Sequence, residues 1–409
     1  MERVSVKPWA WGLAGLALLA ILLRSAPLLL LTFFLALIAG AALLWLRVCL
    51  QGVTYRRRFG SVRLFHGEST ELDIEIANAK PLPLAWLRAE DELPKVLAIE
   101  PARLSASHRP GRQRLLNLLS LRWYERVTRH YHVTGVQRGA WAFGPARLLS
   151  GDMFGFAVRE ETLEAVDTLL VYPRLVPLVA LGLPADRPFG DFRAMRRLAE
   201  DPLRLNGTRD YVSGDSMRHI HWKASARRTA LQTKTFDASA NRPLAIFLNI
   251  NTYEHVWEGL DPDLQEYAIT AAASLANWAW AQGQAVGLYA NAVTQPGARV
   301  VRIRPAGHRD QLTLILEALA RIVPYGRWTI EDSLRSEALH LPYGTTVVVV
   351  SALVTDGLRR TLLYLHDRGY ALSLIALGQA CRAAPVPGVR TYAIGGREAW
   401  HDLTNLSLA

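Results

Sequence analysis

The run Gly207 to Phe236, GTRDYVSGDSMRHIHWKASARRTALQTKTF, holds more special residue types than any other stretch of this chain. Gly207 and Gly214 suit turns, because glycine reaches backbone angles that other residues avoid. Ser213 and Asp215 each precede helix-compatible residues and are candidate N-caps. A helix over 216–228 would line up Arg218, Trp222 and Ser225 on one side. Leu231, Thr233 and Thr235 then alternate with Gln232, Lys234 and Phe236, the pattern of a short strand. Ile220 and Trp222 are large apolar groups amid charge and are expected in the core. Arg209, Asp215 and Arg218 lie within a turn of one another and are expected to form an ion-pair network.

Charge gathers around this run. Residues 187–234 hold eleven Lys and Arg against five Asp and Glu, a surplus of six in a chain of 409 residues whose net charge is +11. A pI near 9.9 invites an anionic partner: nucleic acid, acidic lipid or an acidic protein. Half of the residues are hydrophobic, high for a wholly soluble chain and consistent with a small membrane part. The two cysteines, Cys49 and Cys381, imply no disulfide framework.

That membrane part is expected at residues 1–50. Trp9–Leu23 and Leu28–Leu46 are uncharged apolar runs, separated by Arg24-Ser25-Ala26-Pro27. At 1.5 Å per residue they span about 22 and 28 Å, against a hydrocarbon core of about 30 Å. Lys7 and Arg24 can snorkel at the ends of the shorter run. A cleaved signal peptide fits less well, because Arg24 and Pro27 stand where small residues should flank the cut. The pattern predicts a two-helix transmembrane hairpin through 9–23 and 28–46. Arg3 and Lys7 precede it and Arg47, Arg56, Arg57 and Arg58 follow it, so the positive-inside rule puts both ends in the cytoplasm, at the inner membrane.

Residues 53–173 read as β. Leu72, Ile74 and Ile76 alternate with Glu71, Asp73 and Glu75. Leu84–Leu87, Leu115–Leu121 and Tyr124–Val133 are further strands, and Asn78–Pro83 is a turn by composition. Short strands separated by Gly and Pro predict an immunoglobulin-like β-sandwich. Residues 174–206 form a proline-bearing connector with Arg193, Arg196, Arg197 and Arg204. The segment 207–240 follows, and from 241 to 409 the texture becomes α/β. Strands are expected at Leu244–Ile250, Ala285–Tyr289, Val300–Ile303, Thr346–Val350 and Leu372–Leu377. Helices are expected at Pro262–Gln282, His308–Ile322 and Asp356–Arg368, with Gly283 and Gly369 closing the first and last. The alternation predicts a mostly parallel, doubly wound sheet.

The residues Gly207, Arg209, Tyr211, Gly214, Asp215, Arg218, Ile220, Trp222, Lys223, Ser225, Ala226 and Arg227, twelve positions in twenty-one, resemble the signature of the family of unknown function numbered fifty-eight (DUF58). Arg138-Gly139, Gly151-Asp152-x-Phe154-Gly155 and Val171-Tyr172-Pro173 are similar to further words of that family, with Met153 departing from the usual proline. The resemblance implies a C-terminal domain of von Willebrand factor A type. It also implies a MoxR-type AAA+ ATPase as partner, and in some cases a transglutaminase-like membrane protein.

Domains of that type often hold a divalent cation through Asp-x-Ser-x-Ser after the first strand. Here Asn249-Ile250-Asn251-Thr252-Tyr253 stands in that place, without the carboxylate or either serine, so no metal is expected. His219 and His221 have no third ligand nearby in sequence and would point to different faces of a helix. No Gly-x-Ser-x-Gly elbow and no phosphate loop ending in Lys-Ser/Thr occurs, which argues against a hydrolase or a nucleotide site. The expected function is a membrane-anchored cytoplasmic scaffold or adaptor, without cofactor, whose partner-binding candidates are Arg196, Arg197 and Arg228. The second class is an anion or nucleic-acid binder using 187–234. Asp210 and Asp215 inside the cluster, and the apolar neighbours of Trp222, argue against nucleic acid.

Overall fold

A computed structural model describes residues 7–151, 158–181, 183, 200–213, 215–238, 243–342 and 344–405, with backbone alone at 7–10, 200–206, 235–238, 256 and 404–405. Gly214, Arg196, Arg197 and the 152–155 word lie outside the described residues. The chain divides into two compact units, Met1–Tyr172 and Pro173–Ala409.

The first unit opens with α1 (Lys7–Leu22) and α2 (Ala26–Val48). Arg24 turns the chain between them in the left-handed region, at φ 44°. Pro27 falls in the first turn of α2, where its missing N–H breaks no helical bond. Of the described helices, α2 alone is long and apolar enough to cross a membrane; α1 is shorter.

Twelve strands follow among the described residues: β1 (Val53–Phe59), β2 (Arg63–Leu64), β3 (Ser69–Asn78), β4 (Leu84–Pro94), β5 (Ala98–Glu100), β6 (Leu104–Ala106), β7 (Arg112–Leu121), β8 (Arg126–Thr134), β9 (Gly139–Phe143), β10 (Ala146–Gly151), β11 (Val158–Leu163) and β12 (Asp167–Val171). They form sheets of order β1-β3-β8-β5, β11-β10-β4-β7-β6 and β2-β12-β9. Period-two patterning turns Leu72, Ile74 and Ile76 of β3 inward. There they join Leu87 and Leu93 of β4, Leu115 of β7 and Phe143 of β9 in one apolar cluster. At its edge lies a buried charge group that no local pattern announces. Arg57 donates to both oxygens of Asp91, at 2.6 and 2.7 Å, and to Asp167 at 2.9 Å, while the Tyr55 hydroxyl donates to Asp91 at 2.7 Å. Arg57, one of the four arginines that follow the second apolar run, is thus paired with carboxylates.

The end of α2 is seated in this unit. Cys49 and Leu50 enter the cluster and Trp45 packs against it. A helix C-terminus leaves carbonyls without partners, and here side-chain cations take them. Arg159 donates to Leu46 O at 3.2 Å and Arg47 O at 2.5 Å. Lys80 donates to Cys49 O at 2.5 Å and Gln51 O at 2.8 Å.

The second unit begins, after a 3-10 turn at Leu178–Leu181, with β13 (Glu200–Asp210). It continues through α3 (Trp222–Arg228) and β14 (Gln232–Ala238), an antiparallel partner of β13. The rest is β15 (Leu244–Leu248), α4 (Pro262–Ala281), β16 (Val286–Thr294), β17 (Arg299–Ala306), α5 (Gln311–Arg321), α6 (Ile330–Ala338), β18 (Thr346–Ser351), α7 (Asp356–Asp367), β19 (Ala371–Ala376), β20 (Arg390–Ala393) and α8 (Arg397–Asn405). The sheet order is β17-β16-β15-β18-β19-β20, parallel throughout except for β17. Residues of α6 and α7 pack with Ala245, Phe247, Val347 and Val349 in one cluster. Because neighbours along a strand point oppositely, α4 covers the other face of β15 and β18. Asp261 caps α4 by accepting from Asp263 N and Leu264 N.

Candidate functional site

The β13–β14 hairpin carries the Gly207–Phe236 run, and its turn is built as a small locked module. Arg209 grips Asp215 with both guanidinium nitrogens, at 2.7 and 2.6 Å. The same carboxylate accepts from Val212 N and from the Thr233 hydroxyl, each at 3.1 Å. These hydrogen bonds, Arg209 first, hold the Asp215 carboxyl down to about 2. Asp210 accepts from the Gln232 amide at 2.5 Å, tying the first strand to the second.

The expected helix over 216–228 is broken. A 3-10 turn covers Met217–His219, then Ile220 is extended and bridges Thr233. That bridge buries Ile220 to 2% exposure, as expected for it. It also ends the first turn, so α3 starts afresh at Trp222. Its N-cap is His221, whose Nδ1 accepts from Ala224 N at 3.0 Å, rather than Ser213 or Asp215. Ser225 Oγ donates to His221 O and accepts from Gln232 N, pinning α3 to β14. Thr229 closes α3 at φ 53°.

Trp222 corrects the sequence reading. It stands 65% exposed, outside the core. At the first position of a seven-residue helix it follows the inward Ile220 by two residues, and the break between them turns it outward. Arg218 is a second correction. It is exposed and makes no ion pair among the described residues; the ion pair found there is Arg209 with Asp215. Val212, Met217 and Leu231 are exposed with Trp222, and Lys223, Arg227 and Arg228 are exposed beside them. Tyr211 is half-buried and bonds Leu231 O through its N–H. Gly207 sits in β13 next to a register shift, a place where glycine relieves a bulge.

A second concavity lies at the carboxyl ends of β15 and β18. The chain leaves β15 toward β16 on one side while β18 lies on the other, a switch point where open α/β sheets form crevices. A cavity of about 510 Å³ opens there, lined by Thr252, Tyr253, Asp261, Arg382 and Arg397 among others. Asn249, in the place of the sought carboxylate, is buried and committed. Its amide donates to Ser351 Oγ at 2.9 Å, and its oxygen accepts from the Asn291 amide at 2.8 Å and Asn251 N at 3.1 Å. Arg397 Nη2 donates to the Asp261 carboxylate at 2.5 Å. Among the described residues no group of three or more His, Cys, Asp or Glu is placed to hold a metal ion.

Comparison with known proteins bears on the hairpin and the sheet together. Residues 207–388 match the family described as "Protein of unknown function DUF58". The match starts at Gly207, the first residue of the signature, and runs past β19. The uncharacterized protein YeaD of Bacillus subtilis (strain 168) is 25% identical over 206 residues, 47% of this chain and 46% of that one. The chain thus spans about half the length of the curated relative it matches. Among solved structures, a cohesin module of a Clostridium perfringens family 33 glycoside hydrolase aligns at 11% identity over 29% of this chain and 96% of that one, TM-score 0.22. The GAE domain of GGA2p from Saccharomyces cerevisiae aligns at 14% identity over 29% and 87%, TM-score 0.19. At such scores the alignments carry no argument.

Proposed function

We propose that this chain is a membrane-anchored adaptor whose DUF58 hairpin module is the surface a protein partner grips. The observation behind the reading is Trp222, Met217, Val212 and Leu231, four large apolar side chains in water on a module locked from within by Arg209 and Asp215. An exposed aromatic on the same short helix as exposed Lys223, Arg227 and Arg228 is the composition of an interface hot spot with a basic rim. A rigid presenting surface also lowers the ordering cost of binding.

The anchor is α1 with α2 as two spans, with both units in the cytoplasm; the basic residues Arg47, Arg56 and Arg58 after α2 support that side. The second unit is of von Willebrand A type. Its strand order, with a single antiparallel strand at one edge, supports that reading. By family resemblance the partner is a MoxR-type AAA+ ATPase, and an acidic patch on it would meet the basic rim. Energy would come from that partner.

Binding of a purified MoxR-type ATPase to the detergent-solubilised full chain tests this. Met217→Ala with Trp222→Ala is expected to weaken the complex at least about tenfold, since hot-spot truncations cost upwards of 2 kcal/mol. Full affinity in the double variant would sink the reading. The second reading, an anion or nucleic-acid binder, gains one observation: Trp222 is free to stack on a base beside exposed arginines. A salt-sensitive shift with single-stranded nucleic acid, and none with the ATPase, would favour it.

A further inference from the structure

The first unit has an aromatic pair that its core does not use. Trp123 and Tyr124 form the tip of the turn between β7 and β8, and they are 66% and 69% exposed. Tyr124 is held in the left-handed region at φ 52°, which a non-glycine residue adopts only when its surroundings enforce it. The enforcing residue is Asn78, buried, whose amide donates to Leu82 O at 2.8 Å and to Arg122 O at 2.9 Å. It thereby staples the β3–β4 turn, with exposed Leu82, to the β7–β8 turn. Tyr124 N completes the staple on Lys80 O.

Both turns stand at the end of the unit that receives α2. Val53 pairs with Asn78 and Leu84 with Leu121, so the start of β1 and the two turns share one edge. Lys80 then reaches from the first turn to the carbonyls of Cys49 and Gln51. Leu44, on the last apolar stretch of α2, is exposed and lies five residues, about 8 Å, before Cys49. The polar layer on each side of a bilayer is about 5–8 Å deep. Exposed Arg47 and Arg122 flank the site.

We infer that Leu82, Trp123 and Tyr124 form a foot that rests in the headgroup layer of the phospholipid bilayer and fixes the first unit against the membrane surface. This rests on the reading of α2 as a span. Trp and Tyr suit that layer because one end of each ring is apolar and the other can hydrogen-bond. Arginines beside them meet lipid phosphates. A rigid foot that continues the surface of an apolar helix is matched to the layer the helix emerges through, and a protein partner would have to enter that layer to reach it.

The test uses the full chain in two sets of vesicles: lipids brominated at the ends of the acyl chains report on Leu37, which lies eleven residues, about 16 Å, from either end of α2, and lipids brominated near the headgroup report on the surface positions. A small fluorescent amino acid is placed in turn at Leu37 in α2, at Trp123, and at His108, which lies in the turn before β7 at the opposite end of the unit. The expected result is quenching at positions 37 and 123, with emission retained at 108. Quenching at 37 but not at 123 overturns the foot and leaves the span standing. Quenching at all three also overturns it, because the contact would not belong to this end. No quenching at 37 removes the span and the foot together. Thermal melts of Trp123→Ser with Tyr124→Ser should match the parent; a large drop would show the two rings to be structural and overturn the inference.

Discussion

Trp222→Ala is expected to move stability by no more than about 0.5 kcal/mol, as exposed substitutions do. Ile220→Ala, two residues earlier and buried, is expected to cost about 2–5 kcal/mol. Paired thermal melts check this, and a Trp222 variant that melts as low as the Ile220 variant would contradict the exposed position. Arg196→Glu and Arg197→Glu, joined with Arg228→Glu, should leave the melt unchanged and weaken the partner complex in a salt-dependent way. A second residue-scale expectation concerns Asp215. Its folded carboxyl is depressed to about 2, so the stabilisation it gives is present above the ordinary value near 3.9 and is lost as pH falls through about 2. Following the Asp215 carboxyl by NMR should give a midpoint near 2 in the parent. In Arg209→Ala the midpoint should rise toward the ordinary value. An unmoved midpoint would show that Arg209 is not its main partner.

At the scale of elements, the carboxyl end of β15 yields a further prediction. Asn249→Asp removes the donor to Ser351 and leaves a buried carboxylate without a cation, at a cost of about 1–3 kcal/mol. Millimolar Mg²⁺ should not raise the melting temperature of the parent. A saturable rise, lost in Asn251→Ala, would mean that the loop holds the ion after all. Much of the α/β unit could be read in advance. Leu244–Leu248 and Thr346–Ser351 are unbroken apolar or β-branched runs, and α4 and α7 end at Gly283 and Gly369, both at positive φ. Nine-residue α6 went unread because its buried apolar face is only Ile330, Leu334 and Ala338. Its signal was Thr329 capping Asp332 N three residues on. In the signature run the strand β14 was legible, but its pairing with β13 and the helix break at Ile220 were not. The break is imposed by Thr233, thirteen residues away, and histidine is not among the usual N-cap residues. The Arg57–Asp91 pair is equally silent in sequence, since β1 and β4 lie in different sheets and only the packing of one sheet on the other brings the two side chains together.

For the whole molecule the testable claim is sidedness. Cysteine reporters at Ser5 and Leu408 are expected to resist a membrane-impermeant thiol reagent in intact cells and to react after lysis. Labelling of the C-terminal reporter before lysis would reverse the orientation. The joint between α2 and the β unit has a mechanical consequence. Four carbonyls at the helix end are held by Arg159 and Lys80, and Cys49 and Leu50 are packed in the core. Such a joint has neither swivel nor slack. Torque or tilt applied to the β unit therefore passes undiminished into the helix shaft. One alanine inserted after Leu35 would turn the preceding half of that shaft by about 100° against the β unit, rather than being absorbed at the joint.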